Sequence, residues 1–287
     1  MQHLAARPSL STPLGRPGVL RCSSATPSLT GTARARPPAG RVKRAAQHSE
    51  HLTLIETRTG LNDLLDRRRR GDNVVGALLG TEGSHALDGQ LENIDRLYAA
   101  GFRMMGLQHF FDNRLGGSLH GESQTGLTAF GEEAVRTMHA RGIMIDVAHS
   151  SEATVRDTLR VTGGGALIVS HTGFNGHCPS PRNISDETMA MITEAGGLIG
   201  VGFWSDVVCG ASINAIVSAI RYGVDRFGLE HIALGSDWDG SVTTPIDASQ
   251  LPHLTQALLD ADFTEQQVAA VMGGNMARFL DDHLPPQ

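Results

Sequence analysis

Two stretches of the chain decide its fold, Gly142-Ile-Met-Ile-Asp-Val-Ala-His149 and Ala166-Leu-Ile-Val-Ser-His171. Each is a short apolar run, rich in isoleucine and valine, that ends in a histidine. An unbroken apolar run of this length is typical of a strand buried on both faces, as in a parallel sheet. A histidine at the end of such a strand lies at the carboxyl edge of the sheet, where barrel enzymes carry their catalytic groups. The two runs therefore predict that His149 and His171 act together as ligands.

Strands and helices alternate on both sides of this pair. Apolar runs predict further strands at residues 52–55, 74–80, 102–107, 197–203 and 231–235. Helical spacing of apolar residues predicts helices at residues 57–70, 91–100, 130–140, 152–161, 185–194, 213–227, 247–260 and 264–282. This alternation is typical of a parallel sheet with right-handed crossovers. The polar candidate residues follow several different strands, which favours a (β/α)8 barrel of the TIM type over a doubly wound sheet.

The charge of the chain is unevenly distributed. The formal net charge is −6, yet no Asp or Glu precedes Glu50 and eight basic residues do. The remaining chain holds 16 basic and 30 acidic side chains. An acidic body argues against nucleic acid as the partner and is compatible with cation binding.

Residues 1–49 lack the pattern of a folded domain. They hold six of the 12 prolines, no acidic residue before position 50, and no sustained apolar period. Such a composition cannot bury enough apolar surface to offset the entropy of ordering. It resembles an organelle transit peptide, while a disordered tail or a wrongly assigned start of translation are the simpler alternatives. We expect a disordered or non-native leader at residues 1–49 and one barrel domain at residues 50–287.

Cysteine usage and hydropathy bear on the compartment. Cys22, Cys178 and Cys209 are scattered and include no C-x-x-C pair, which predicts no disulfide framework. No apolar run approaches the roughly 20 residues that cross a bilayer, and no signal-peptide core follows the N-terminus. We therefore expect no membrane segment and a cytoplasmic location.

Candidate metal ligands follow five of the predicted strands: Glu82, His109, His149, His171 and Asp237. Imidazole and carboxylate groups that converge on one barrel mouth predict a divalent metal site, with zinc as the expected ion. A carboxylate can bridge two cations, and two cations about 3.5–4 Å apart can polarise a carbonyl. Alternatively, Glu82 could partner a helix N-terminus and Asp237 could stabilise its own turn. Seven other histidines are interpreted as ordinary: His85, His120, His139, His177, His231, His253 and His283.

Six motifs follow one another in the part of the chain from residue 52 onward. They are Gly80-Thr-Glu-Gly-Ser-His-Ala-Leu87, Gly106-Leu-Gln-His-Phe-Phe-Asp-Asn113, Ile145-Asp-Val-Ala-His149, Val169-Ser-His171, Pro181-Arg-Asn-Ile-Ser-Asp186 and Gly235-Ser-Asp-Trp-Asp-Gly240. Together they resemble the membrane (renal) dipeptidase family of zinc metallopeptidases, which belongs to the amidohydrolase superfamily of metal-dependent barrel enzymes.

The resemblance implies a role for each candidate residue. Glu82 matches the carboxylate that bridges two zinc ions, and His149 and His171 match the ligands of the second zinc. Asp237 matches an aspartate that binds the first zinc and handles the proton of the attacking water. Two further residues match substrate-binding groups. These are His109, which steadies the tetrahedral oxyanion, and Arg182, which pairs with the terminal carboxylate of the dipeptide.

The chain departs from the family pattern at its beginning. The family starts with a strand that ends in His-x-Asp and completes the first zinc site, but no His-x-Asp or His-x-His occurs in this sequence. Residues 1–49 stand where that strand, its helix and the second strand would be. The expected fold is therefore a metal-dependent hydrolase barrel that lacks its first strand or strands. We expect a truncated or frame-shifted N-terminus and one retained zinc ion rather than two.

The resemblance implies a zinc-dependent dipeptidase in which a metal-activated hydroxide cleaves the peptide bond of a dipeptide. Two alternatives stay open: a catalytically impaired remnant of the family, and an amidohydrolase that acts on another amide or on a lactone. The expected partner is the dipeptide substrate, with no nucleic acid and no membrane segment. A homodimer is left open.

Overall fold

The computed structural model describes residues 31–239 and 241–287, and within these ranges parallel strands alternate with helices. The strands are β1 (Leu52–Leu54), β2 (Val75–Ala77), β3 (Leu79–Thr81), β4 (Phe102–Gly106), β5 (Met144–Asp146), β6 (Leu167–Thr172), β7 (Leu198–Val201) and β8 (Ile232–Leu234). The helices are α1 (Gly31–Gln47), α2 (Arg58–Arg69), α3 (Glu92–Ala99), α4 (Ala129–Ala140), α5 (Glu152–Thr162), α6 (Asp186–Glu194), α7 (Ser205–Val208), α8 (Ile213–Phe227), α9 (Leu251–Asp260), α10 (Glu265–Ala269) and α11 (Asn275–His283). A π-helical turn, Ala270–Gly274, interrupts the predicted last helix.

A six-stranded parallel sheet forms the wall of a partial barrel. Its strands follow one another in chain order, β3-β4-β5-β6-β7-β8, and each is parallel to its neighbours. Because all six strands run in the same direction, their carboxyl ends meet at one edge. The predicted α/β class and incomplete TIM-type barrel are therefore confirmed.

The predicted strand at residues 74–80 is divided between two sheets. β2 pairs with β1 in a separate two-stranded sheet, while β3 pairs with β4 in the barrel wall. Val75 is 54% exposed, whereas Leu79 is buried. The expectation of one continuous buried strand is wrong, because the first half of the run leaves the barrel wall to pair with β1.

A second apolar cluster closes the barrel below the sheet's amino ends. Met144, Ile168, Leu198 and Ala233 lie at or near the starts of β5 to β8, and they pack with residues of α2 and α11 such as Leu61, Leu64 and Phe279. This floor leaves the carboxyl edge of the sheet as the accessible face.

Two glycines let the last three strands approach one another closely. A Cβ atom on Gly200 or on Gly235 would lie 2.3 Å from the carbonyl oxygen of Ser170. Such a contact is far inside van der Waals distance, so β6, β7 and β8 can have this spacing only with glycine at both positions.

Helix α1 lies inside the segment that the sequence predicts to be a leader. Its Ala39 is 2% exposed and belongs to the main core, and Lys43 forms an ion pair with Glu56 at 3.0 Å. The helix packs against β1 and the 3-10 turn Ser84–Leu87. The structure thus differs from the expected leader over residues 31–47, because one face of this segment finds apolar partners on the barrel. Residues 1–30 lie outside the described residues, and the domain boundary at residue 49 stays a prediction.

Two aspartate substitutions on α1 test whether this helix is part of the fold. Ala39→Asp places an unpaired carboxylate in the core, so we expect the free energy of unfolding to fall by about 2–4 kcal/mol. Ala45→Asp is the matched control, since Ala45 is exposed on the same helix. Urea unfolding monitored by circular dichroism provides the measurement. Equal unfolding midpoints for the two variants would favour the leader interpretation.

Candidate active site

Three predicted ligands converge at the carboxyl edge of the sheet. Glu82 directly follows β3, His149 follows β5, and His171 is the second-last residue of β6. Nε2 of His149 lies 3.1 Å from Oε1 of Glu82 and 3.0 Å from Nε2 of His171. The third side of this triangle, His171 Nε2 to Glu82 Oε1, measures 3.4 Å. Among the described residues, these three form a group that could hold a metal ion.

The chemistry of these three groups fits a divalent cation. Two ligand atoms bound tetrahedrally at zinc distances lie about 3.3–3.6 Å apart, close to the three separations in this triangle. Burial by itself raises the pKa of Glu82, but the neighbouring imidazoles of His149 and His171 outweigh it and hold that pKa far below its usual range. Burial lowers the pKa of His149 to about 2 despite its hydrogen bond to Glu82. A carboxylate and a neutral imidazole are the ligand forms that a metal requires.

A buried hydrogen-bond relay orients His171. Ser170 donates its hydroxyl proton to Oδ2 of Asp146 at 2.6 Å, so Nδ1–H of His171 donates to Ser170 Oγ at 2.8 Å. Nε2 of His171 is therefore left with a lone pair that faces Glu82 and His149. Carboxylates and hydroxyls that orient a ligand histidine in this way tune metal affinity. The sequence analysis missed this relay, although an aspartate within the apolar run at residues 142–149 was a usable signal.

Arg182 lies buried beside the three candidate ligands. Its Nη1 donates to the carbonyl oxygen of Ala148 at 2.7 Å, and Nη2 donates to that of His171 at 2.9 Å. Nη2 is also 3.4 Å from Nε2 of His149. Burial lowers the pKa of Arg182 to about 10, while Asp237, Asp146 and Glu82 act in the opposite direction. The guanidinium therefore keeps its positive charge at neutral pH, within reach of an anionic group of a ligand.

A disulfide bond anchors the loop that carries Arg182. Cys178 pairs with Cys209, which lies just after α7. The side chain of Asn183 adds hydrogen bonds to the carbonyl oxygens of Cys178 and Val207 at 2.8 and 3.1 Å. The expectation of no disulfide is wrong, because the fold brings together two cysteines that are 31 residues apart in sequence.

The remaining predicted site residues surround the group of three. His109 follows β4, and its Nε2 lies 3.5 Å from Oε1 of Glu82. Asp237 follows β8 and has a φ of 57°, a left-handed conformation that is costly for a residue other than glycine. Asp237 is not a member of the three-residue group, but its charge acts on Arg182. His177 lies instead against Tyr222, with ring centroids 5.5 Å apart.

His120, which the sequence analysis interprets as an ordinary histidine, lies beside the candidate ligands. It lines a cavity of about 470 Å³ together with Arg182 and the disulfide. Its ring centroid lies 5.7 Å from that of His149. Burial lowers the pKa of His120, and the charges of Arg182 and His109 lower it further.

Comparison with known proteins identifies the family. The sequence model of the membrane dipeptidase family (peptidase family M19) matches residues 40–283. The chain belongs to this family. An uncharacterized protein in the pqqA 5′ region of Klebsiella pneumoniae is 30% identical over 229 residues, which cover 74% of this chain and 84% of that protein. Dipeptidase aclJ of Aspergillus oryzae is 31% identical over 218 residues, which cover 72% of this chain and 51% of that dipeptidase. The chain thus spans about half the length of the Aspergillus relative.

A solved structure supports the fold of this membrane dipeptidase family member. Dipeptidase AC, a metallopeptidase of family M19, superposes with a TM-score of 0.76 at 24% sequence identity, over 88% of this chain and 77% of that one. The resemblance stated from the six motifs is confirmed, and with it the class of metal-dependent, dipeptidase-like hydrolase.

Removing the hydroxyl of Ser170 should weaken metal binding. Ser170→Ala leaves His171 free to rotate and to change tautomer, so we expect metal affinity to fall by about 10- to 100-fold. Ser218→Ala, on the exposed face of α8, is the matched control. Competition with a fluorescent zinc chelator measures both affinities. An unchanged affinity in Ser170→Ala would show that the relay does not act on the metal site.

Proposed function

We propose that this member of the membrane dipeptidase family is a zinc enzyme that hydrolyses the peptide bond of dipeptides. The observation that carries the proposal is the position of the buried, positively charged guanidinium of Arg182 next to the three residues that could bind a metal ion. Nη2 of Arg182 lies 3.4 Å from Nε2 of the candidate ligand His149. A guanidinium at this distance suits a short substrate whose free carboxylate lies close to its scissile amide.

Glu82, His149 and His171 would hold the zinc ion. Three protein ligands and one open position are typical of catalytic zinc. A bound ion of this kind supplies Lewis-acid polarisation of the scissile carbonyl and lowers the pKa of water. We propose one tightly held ion. A second ion would have only two ligands among the candidate residues, Glu82, which it would share with the first ion, and Asp237.

The other candidate residues would act directly on the substrate. Asp237 would take the proton from the attacking water and return it to the leaving amine. His109, at the rim of the site beside Glu82, would donate a hydrogen bond to the oxyanion that develops on the carbonyl. Arg182 would bind the carboxylate and fix the direction in which the dipeptide enters.

A catalytically impaired family member is the second candidate function. In the described chain the six-stranded sheet has two edges, β3 and β8, each paired on one side. An open edge reduces the stability of the wall that carries the ligands. Turnover distinguishes the two candidates, because an impaired member would bind zinc without hydrolysing dipeptides at an appreciable rate.

The compartment and the quaternary state belong to the proposal as well. None of the described helices is long and apolar enough to cross a membrane. A cytoplasmic location stays a prediction, and the disulfide between Cys178 and Cys209 weighs against it, since reducing compartments disfavour such bonds. A homodimer remains one candidate assembly.

Substitution of the ligands tests the zinc site and the reaction together. We expect His149→Ala and His171→Ala to lose zinc on dialysis and to lower kcat/KM for dipeptides by at least about 100-fold. Glu82→Gln should have the same direction of effect, because an amide is a poorer ligand than a carboxylate. His253→Ala is the control, since His253 is exposed on α9. Zinc is measured by atomic emission and turnover by amine release. Full zinc content in both histidine variants would refute the assignment.

Arg182→Lys tests carboxylate recognition with the positive charge kept. A lysine cannot reproduce the planar fork of the guanidinium, so we expect KM to rise by about 10- to 100-fold with a smaller change in kcat. Arg136→Lys on the exposed side of α4 is the matched control. Steady-state kinetics on one dipeptide separates the two constants. A loss confined to kcat would contradict the role in binding.

A further inference from the structure

His120 presents a polar atom that the fold itself does not use. Nε2 of its imidazole is buried, and it makes no hydrogen bond to the part of the chain that the structure describes. Buried polar atoms in folded proteins nearly always have a partner, and a rotation of this ring toward the cavity would give Nε2 one. The same side chain lines the cavity of about 470 Å³ that Arg182 also lines.

Hydrogen bonds hold the main chain of the loop around His120, so this residue is kept beside the cavity. The main-chain N–H of His120 donates to Oγ of Ser118, and that hydroxyl contacts the carbonyl oxygens of His109 and His149 at 2.5 and 3.1 Å. On the other side of the loop, Nε2 of Gln124 donates to three carbonyl oxygens, including that of Gly121 at 2.8 Å. The ring packs on Phe110 with a centroid distance of 5.2 Å.

Arg182 alone does not satisfy a carboxylate in this cavity. Both of its terminal nitrogens already donate to main-chain carbonyl oxygens, those of Ala148 and His171. Part of the guanidinium fork is therefore committed to the protein, and a carboxylate accepts up to about four hydrogen bonds. A second donor on the cavity wall would complete its coordination, and the imidazole of His120 lies on that wall.

We infer that His120 is a substrate-positioning residue whose imidazole N–H donates to the C-terminal carboxylate that Arg182 binds. The inference deepens the proposed dipeptidase function and rests on it. His120 thereby contributes to selection of free dipeptides over peptides whose C-terminus is blocked or extended. A hydrogen bond to a charged group, unlike a packing contact, distinguishes a carboxylate from its amide.

The test compares an acid ligand with its amide on the zinc-loaded full-length chain. The probes are a phosphinate mimic of a dipeptide and its C-terminal carboxamide, titrated into wild type, His120→Ala and His120→Gln by calorimetry. We expect His120→Ala to weaken binding of the acid by about tenfold or more and binding of the amide by less than about twofold. His120→Gln, which keeps an amide N–H, should recover most of the loss. His139→Ala, an exposed histidine on α4, is the matched control.

A folding defect would weaken acid and amide alike, so the acid-to-amide ratio isolates the hydrogen bond. An equal loss for both ligands, or no loss for the acid, overturns the inference. Steady-state kinetics on a dipeptide provides the second measurement, in which KM rises about tenfold and kcat changes little. If wild type binds the acid mimic but hydrolyses no dipeptide, the proposed function fails while the role of His120 stands. If wild type does not bind the acid mimic, the inference is overturned.

Discussion

The candidate site depends on keeping three basic atoms, one carboxylate oxygen and two imidazole nitrogens, close together and away from water. Oε1 of Glu82 and the Nε2 atoms of His149 and His171 lie 3.0 to 3.4 Å from one another. Without a proton or a cation between them, the lone pairs of these atoms repel one another, and burial strengthens that repulsion. The parallel strands provide part of the positioning of these three residues, because they bring residues distant in sequence to one edge of the sheet. The remaining positioning must come from the groups around the ligands.

One of those surrounding groups, the carboxylate of Asp146, acts on His171. His171 is oriented through Ser170 by Asp146, whose Oδ1 also accepts from the main-chain nitrogens of Ala148 and Ser170 at 3.0 Å. One carboxylate thus joins the ends of β5 and β6 through both main chain and side chain. A ligand histidine held in this way loses little further entropy when an ion binds, which favours the bound state.

The sequence predicted the strand ends well because their signal is local. A short apolar run followed by a histidine or carboxylate is visible within a few residues, and it predicted the places of Glu82, His149 and His171. Three features depend on contacts between distant segments, and no local pattern reports them. Pairing with β1 separates β2 from β3, chain folding brings Cys178 to Cys209, and the barrel surface gives Ala39 of α1 its partners. The start of the predicted helix at residue 264 marks the opposite case, since the capping box that Thr264 forms there with Gln267 is entirely local.

In the proposed reaction, Arg182 links the candidate metal ligands to the carboxylate of the dipeptide. Its guanidinium donates to the carbonyl oxygens of Ala148 and His171. Ala148 is the residue before the candidate ligand His149, and His171 is itself a candidate ligand. A carboxylate that binds the same guanidinium must therefore affect the positions of the ends of β5 and β6. Carboxylate binding and metal binding are then coupled, and such coupling is reciprocal by thermodynamic necessity. The disulfide between Cys178 and Cys209 limits how far the Arg182 loop can move in response. A substrate that lacks the carboxylate would therefore lose its contact with Arg182 and would also leave the candidate metal ligands less firmly positioned. In this way one buried arginine can contribute to both substrate affinity and catalysis.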